Sequence, residues 1–164
     1  MATRHQNLSN TGDSHHLLAE GMTFGIVVAD WNQQVTGKLR EGAYNTLLSH
    51  GARPEDIAVK QVPGSIELTL GAQLLAEHMQ PDAVICLGCV VQGETRHFDY
   101  VCDSVTQGIT ELNIRYKLPF IYGILTTENQ EQALDRAGGK HGNKGDEAAV
   151  AAIRMAQMKR ELSL

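Results

Sequence analysis

Ala83-Val-Ile-Cys-Leu-Gly-Cys-Val-Val91, running straight into Gln92-Gly-Glu-Thr-Arg-His-Phe-Asp99, is the stretch on which the reading of this chain turns. Its first part is uncharged and rich in aliphatic residues, as a strand of a parallel sheet buried on both faces must be. Its second part is the densest cluster of reactive side chains in the sequence. In an open parallel α/β sheet ligands bind beyond the carboxyl ends of the strands, so the cluster sits where chemistry is expected.

Working outward, Phe24-Gly-Ile-Val-Val-Ala29 is another such run, Ile57 to Val62 reads as a strand that stops at Pro63-Gly64, and Phe120 to Leu125, introduced by Pro119, is a fourth strand. Between them Val35, Leu39, Ala43 and Leu47 recur at helical spacing, predicting a helix over Thr36 to His50 that ends at Gly51. Ile66, Leu70 and Leu74 form the stripe of a second helix, and about Tyr100 to Tyr116 a third. Thr127-Glu-Asn-Gln130 has capping-box spacing and opens a short helix to Ala137. Asn143 caps a last helix with a small-residue face of Ala148, Ala149, Ala152 and Ala156. Alternating strands and helices predict an α/β fold: a three-layer α/β/α sandwich around a central four-stranded parallel sheet.

With 164 residues, 42% hydrophobic and 20% charged, the composition is that of one globular domain. Folding at this length buries roughly 68 to 70% of the unfolded surface, enough for a core without disulfides or a structural metal. Residues 1–21 are polar and aperiodic and read as an arm that packs poorly or only against a partner, leaving 22–164 as the single domain. The net charge is −5, from 14 basic and 19 acidic residues with no basic block, which disfavours nucleic acid. No stretch is apolar and long enough to cross a bilayer, and the amino-terminal segment lacks a signal-peptide centre. Cys86, Cys89 and Cys102 are an odd set. The first two fall inside the buried strand, and no second pair completes a zinc site, so they read as core thiols of a cytoplasmic protein.

Three strand exits carry the candidate residues. After the first comes Trp31, the sole tryptophan, able to cover the core or to stack on a planar ligand. After the second, Val62-Pro-Gly-Ser-Ile-Glu67 removes bulk at Gly64 and opens a helix whose first amides are donors. Glu67 there also suits the helix dipole. After the third, His97 is the natural general acid or base, since an imidazole titrates near neutrality. Gly93 to Thr95 can present amides and a hydroxyl to an anion. His50 and the histidines of the arm, His5, His15 and His16, lack such placement and read as solvated. Near the carboxyl end Arg136 offers a bidentate grip for phosphate. Lys144, in the first turn of the last helix, opposes the dipole and so marks a site chosen for function.

Taken together, Trp31-Asn32, Val62 to Glu67, Leu87 to Tyr100, Tyr122-Gly-Ile-Leu-Thr-Thr127, Glu131 to Gly138 and Asn143-Lys-Gly145 resemble the lumazine synthase family over essentially residues 22–160. The resemblance implies a flavodoxin-like sheet and one reaction. That reaction condenses 5-amino-6-(D-ribitylamino)uracil with 3,4-dihydroxy-2-butanone 4-phosphate, giving 6,7-dimethyl-8-ribityllumazine, phosphate and water, in riboflavin biosynthesis. It requires no cofactor and no metal. It also implies roles: Trp31 for stacking, Ser65, Ile66 and Glu67 for the ribityl chain, and Cys89, Val90 and Val91 for the pyrimidine edge. Glu94 and Thr95 match the phosphate-side loop, Glu94 replacing a small residue common there. His97 matches the proton-transfer residue, Arg136 the phosphate anchor, Lys144 a nearby cation, and Tyr122 an aromatic supplied by a neighbouring subunit.

The resemblance further implies a homo-oligomer, at least a pentamer, with a 60-subunit icosahedral shell permitted by the short Gly138 to Asn143 link, and riboflavin synthase as a possible partner. Two other readings stay open on sequence: a riboflavin synthase of the same fold, disfavoured by the phosphate-binding Arg136, and a non-catalytic flavin-binding protein, for which Trp31 would suffice.

Overall fold

All six residues of β1, Phe24–Ala29, are buried. Phe24, Ile26 and Val28 enter one hydrophobic cluster while Val27 and Ala29 enter another. That alternation is the period of two expected of a strand covered on both sides. The computed structural model describes residues 7–10 and 18–162. After β1 the order is α1 (Gln33–Ser49), a 3-10 turn (Pro54–Asp56), β2 (Ile57–Val62), α2 (Glu67–Met79), β3 (Ala83–Val91), α3 (His97–Tyr116) and β4 (Phe120–Thr127). There follow α4 (Gln130–Asp135), β5 (Ala137–Gly139), β6 (Gly142–Asn143) and α5 (Lys144–Leu162).

The main sheet is parallel throughout, ordered β2-β1-β3-β4. One core lies between the sheet and α1 and α5, with Leu39, Leu47, Ile85, Leu87 and Ile153 fully buried. The other lies under α2 and α3, with Leu68, Ala72, Val84, Cys86 and Val105. The chain is thus the α/β/α sandwich read from the sequence, with a flavodoxin-like strand order. The small-residue face of α5 lets it lie against α1 so closely that a Cβ at Gly145 would fall 2.0 Å from the Leu39 carbonyl oxygen. Among the described residues no helix is long and apolar enough to cross a membrane.

Several local expectations are corrected. The α2 stripe of Ile66, Leu70 and Leu74 is exposed, and the buried face is Leu68, Ala72, Leu75 and Ala76. Helices α1 and α3 each start three residues earlier than the sequence suggested. Strand β4 runs on to Thr127 because Val90 and Val91 remain available as ladder partners. The cap of α4 is therefore Asn129, whose side chain accepts from the Gln132 amide at 2.9 Å, and the helix ends at Asp135. Ala137 belongs instead to the antiparallel β5–β6 hairpin, which periodicity did not reveal. Asn143 does cap α5, accepting from the Gly145 amide at 2.8 Å. Strand β2 is a sheet edge, with its middle and end partly exposed.

The described parts of the arm, read from the sequence as packing poorly or only against a partner, hydrogen-bond to the chain's own later elements. The Leu8 amide donates to the His141 carbonyl at 2.7 Å, and the Asn143 amide to Ser9 Oγ at 2.9 Å. Ala19 is fully buried. His5, His15 and His16 lie outside the described residues. His50 is half-buried, its Nδ1 2.8 Å from the Thr46 carbonyl, so it is not simply solvated. Asp82 ties the ends together: Arg160 donates to both its oxygens at 2.8 Å, the Thr23 amide donates to Oδ2 at 2.8 Å, and Arg160 also reaches the Gly21 carbonyl.

Candidate active site

The connection from β1 runs to β2 on one side, while β3 and β4 lie on the other, so the strand order reverses between β1 and β3. That switch opens a crevice at the carboxyl ends of the strands. It is an open cleft of about 480 Å³ lined by Trp31, Pro63, Gly64, Ser65, Ile66, Glu67, Cys89, Val90, Val91, Gly93, Thr95, His97, Phe98 and Val101. Nine of the thirteen site residues named from the sequence stand in it: Trp31, Ser65, Ile66, Glu67, Cys89, Val90, Val91, Thr95 and His97.

Each strand exit contributes differently. Past β1, the Asp30 amide donates to the Val62 carbonyl at 2.8 Å and the Trp31 amide to the Pro63 carbonyl at 3.2 Å, while the indole stays 73% exposed. Past β2, Gly64 leaves room for a carboxylate, since a Cβ there would come 3.1 Å from Glu67 Oε2. Ser65 is buried against Gly88, whose missing side chain makes its space. Helix α2 begins with no side-chain cap hydrogen bond, and its Leu68 amide donates to the Ser65 carbonyl at 3.2 Å.

Past β3 the geometry suits a flat polar edge. Pairing of β3 with β1 stops at Leu87, whereas pairing with β4 continues to Val91. Beyond Leu87 the β1 side of β3 has no strand partner; there the Cys89 carbonyl accepts from Asn32 Nδ2 at 2.9 Å, and since the Gln92 amide bonds to the Thr127 carbonyl on the β4 side, alternation turns the Val91 backbone toward the cleft. Burial pushes the Cys89 thiol up to about 11 and that of Cys86 to about 12, so neither supplies a thiolate nucleophile near neutral pH. His97 opens α3 with its imidazole exposed, and its amide donates to Thr95 Oγ1 at 3.4 Å. Phe98 and Val101 also line the cleft, a role that sequence reading missed. With α3 starting at His97, Val101 is one turn on and shares its face, a relation hidden when the helix is begun at Tyr100.

Four predicted residues do not line the cleft. Glu94 is exposed outside the lining. Tyr122 stands opposite Cys86 in β4, and its hydroxyl accepts from Thr106 Oγ1 at 3.2 Å. Burial raises its pKa. Arg136 closes α4, donating from Nη1 to the Gln132 carbonyl at 3.0 Å. Lys144 begins α5 and pairs with Glu147 at 2.8 Å, which offsets a cation at a helix amino terminus. Among the described residues that line the cleft, the charged or titratable polar groups are Glu67, His97 and the Cys89 thiol, with neither Lys nor Arg. Among the described residues no group of three or more His, Cys, Asp or Glu is placed to hold a metal ion.

The arrangement can stack a planar ring, read its edge with backbone groups, hold a hydroxylated chain at the α2 terminus, and move a proton at His97. Residues 21–160 match the family model of 6,7-dimethyl-8-ribityllumazine synthase. A protein of that name from Parabacteroides distasonis is 62% identical over 155 residues, covering 94% of this chain and 97% of the relative. One from Cytophaga hutchinsonii is 55% identical over 156 residues, covering 94% and 97%. One from Phocaeicola vulgatus is 52% identical over 162 residues, covering 99% and 96%. With a family match over most of its length and relatives this similar, the chain belongs to the 6,7-dimethyl-8-ribityllumazine synthase family.

Proposed function

We propose that the cleft carries out the reaction of that family, condensing 5-amino-6-(D-ribitylamino)uracil with 3,4-dihydroxy-2-butanone 4-phosphate and releasing phosphate and water. The pyrimidine stacks on Trp31 with its edge against the backbone of Cys89, Val90 and Val91. The ribityl chain lies along Ser65, Ile66 and Glu67 at the start of α2. The amine attacks the ketone, water leaves, phosphate is eliminated and the ring closes. His97 moves the protons these steps need, and the backbone of Glu94 and Thr95 faces the phosphate. Holding two reactants together supplies much of the rate, so no activated nucleophile is called for.

The observation that carries the assembly reading is the charge of the lining: among the described residues that line this cleft there is neither Lys nor Arg to meet a phosphate dianion. A buried or half-buried dianion needs such partners. Arg136 and Lys144, with Tyr122 as a closing aromatic, then come from a neighbouring subunit, and the working unit is a ring of at least five. A 60-subunit shell and an associated riboflavin synthase extend the same reading, as does a cytoplasmic location.

The test is to mix the two substrates with the purified chain and follow lumazine absorbance together with phosphate release. Lumazine and phosphate formed in equal amounts support the reading. Conversion of two lumazines without phosphate would instead mark a riboflavin synthase, and ligand binding with no turnover a flavin carrier.

A further inference from the structure

Three non-glycine residues among those described have positive φ: Asn32, Gln80 and Lys117. Gln80 and Lys117 follow the last turns of α2 and α3, where a left-handed residue commonly ends a helix. Asn32 is different, because it precedes α1 with φ 61° and ψ 45°, where a cap residue is normally extended. Its side chain makes no cap hydrogen bond to the helix. Instead Nδ2 donates to the Cys89 carbonyl at 2.9 Å.

That carbonyl lies two residues beyond Leu87, the last β3 residue paired with β1. The Asn32 amide thus takes the place of the ladder partner that β1 no longer provides. One residue earlier, the Trp31 amide is bonded to Pro63 across the β2 exit. The peptide carrying Trp31 is therefore pinned on both sides, to β2 directly and to β3 through Asn32. The indole itself is 73% exposed and forms no aromatic pair among the described residues, so its place over the cleft depends on this backbone.

We propose that Asn32 is a positioning residue for the pyrimidine half of the site: it sets the Trp31 ring and the Cys89–Val91 edge at a fixed separation, ready for a planar heterocycle. This rests on the stacking role given above to Trp31. Asparagine meets both demands, since it tolerates the left-handed conformation and carries the amide that reaches Cys89. Glycine would meet the first only.

Asn32→Gly consequently separates backbone from side chain, with Asn32→Asp keeping the shape but placing a carboxylate against a carbonyl. Both are assayed as the full-length protein for the KM of each substrate and for Trp31 fluorescence anisotropy, alongside Trp31→Ala. Asn32→Gly should keep the far-ultraviolet spectrum and the KM for the butanone phosphate. Its KM for ribitylaminouracil should rise about fivefold, with lower Trp31 anisotropy, as loss of one hydrogen bond implies. Asn32→Asp should lose at least as much. An unchanged ribitylaminouracil KM in Asn32→Gly, or an equal rise for both substrates, would overturn the positioning role while a large effect of Trp31→Ala left the stacking site standing. No effect of Trp31→Ala would remove the site reading itself, and the positioning role with it.

Discussion

Tyr122 stands opposite Cys86 in the β3–β4 ladder, five residues before the Val91–Thr127 pair that ends it. At about 3.3 Å per residue its Cα is roughly 16 Å below the strand ends that frame the cleft. It serves the cleft of another subunit or none. Leu70 and Leu74, both more than half exposed on α2 beside that cleft, are apolar surface that a ring of subunits would cover. Leu70→Asp should therefore lower assembly size and activity together while circular dichroism stays native. Sedimentation velocity checks this: the wild-type chain is expected as a pentamer or larger, and a fully active monomer would refute the shared site.

His97→Ala should slow lumazine formation by about a hundredfold, the lower range for loss of one positioned acid or base. Affinity for ribitylaminouracil should change little, because the ring and its chain are held at Trp31, Cys89–Val91 and α2. Steady-state turnover beside a direct binding titration separates the two effects, and wild-type turnover would take His97 out of the mechanism.

The strands were legible because continuous apolar runs have few other uses, and the three exits followed from the parallel order. Helix α2 was misread because it carries two apolar stripes, and Ile66, Leu70 and Leu74 are larger than the Ala72 and Ala76 of the face that is buried. Spacing alone does not say which stripe the sheet covers. The α4 cap moved from Thr127 to Asn129 because long-range pairing with Val91 held Thr127 in β4. The left-handed turn at Asn32 and the Lys144–Glu147 pair are set by backbone angles and rotamers, which no residue pattern states.

Trp31 presents a wide, exposed π-face, so riboflavin, a flat tricycle with the same ribityl chain, should bind and quench the fluorescence of the sole tryptophan. Titration of wild type against Trp31→Ala, followed by riboflavin fluorescence, measures it. Equal riboflavin affinity in the two proteins would exclude stacking.

Burial tends to raise the pKa of Asp82, but hydrogen bonds from Arg160 and Thr23 outweigh it and hold the carboxyl below its usual range. A lowered folded-state pKa contributes stability at neutral pH that is lost as pH falls through about 4 and below. Arg160 is partly exposed, which limits the effect to about 1 kcal/mol. Asp82→Asn should therefore melt several degrees lower than wild type at pH 7, with the gap narrowing as pH falls below about 4. A constant difference across that range would assign the effect to packing instead of charge.

The claim that one catalytic site draws on two chains is tested most directly by mixing two impaired variants, His97→Ala and Arg136→Ala. Each alone should make lumazine slowly, the first for want of proton transfer and the second for want of the phosphate anchor. Dissociated, mixed in equal amounts and reassembled, the chains should form intact sites wherever an Arg136→Ala subunit presents its His97 beside a neighbour that keeps Arg136. Random placement around a ring then restores about one quarter of wild-type activity. A reassembled mixture no more active than the two variants measured separately would place His97 and Arg136 in the same chain's site and contradict the account.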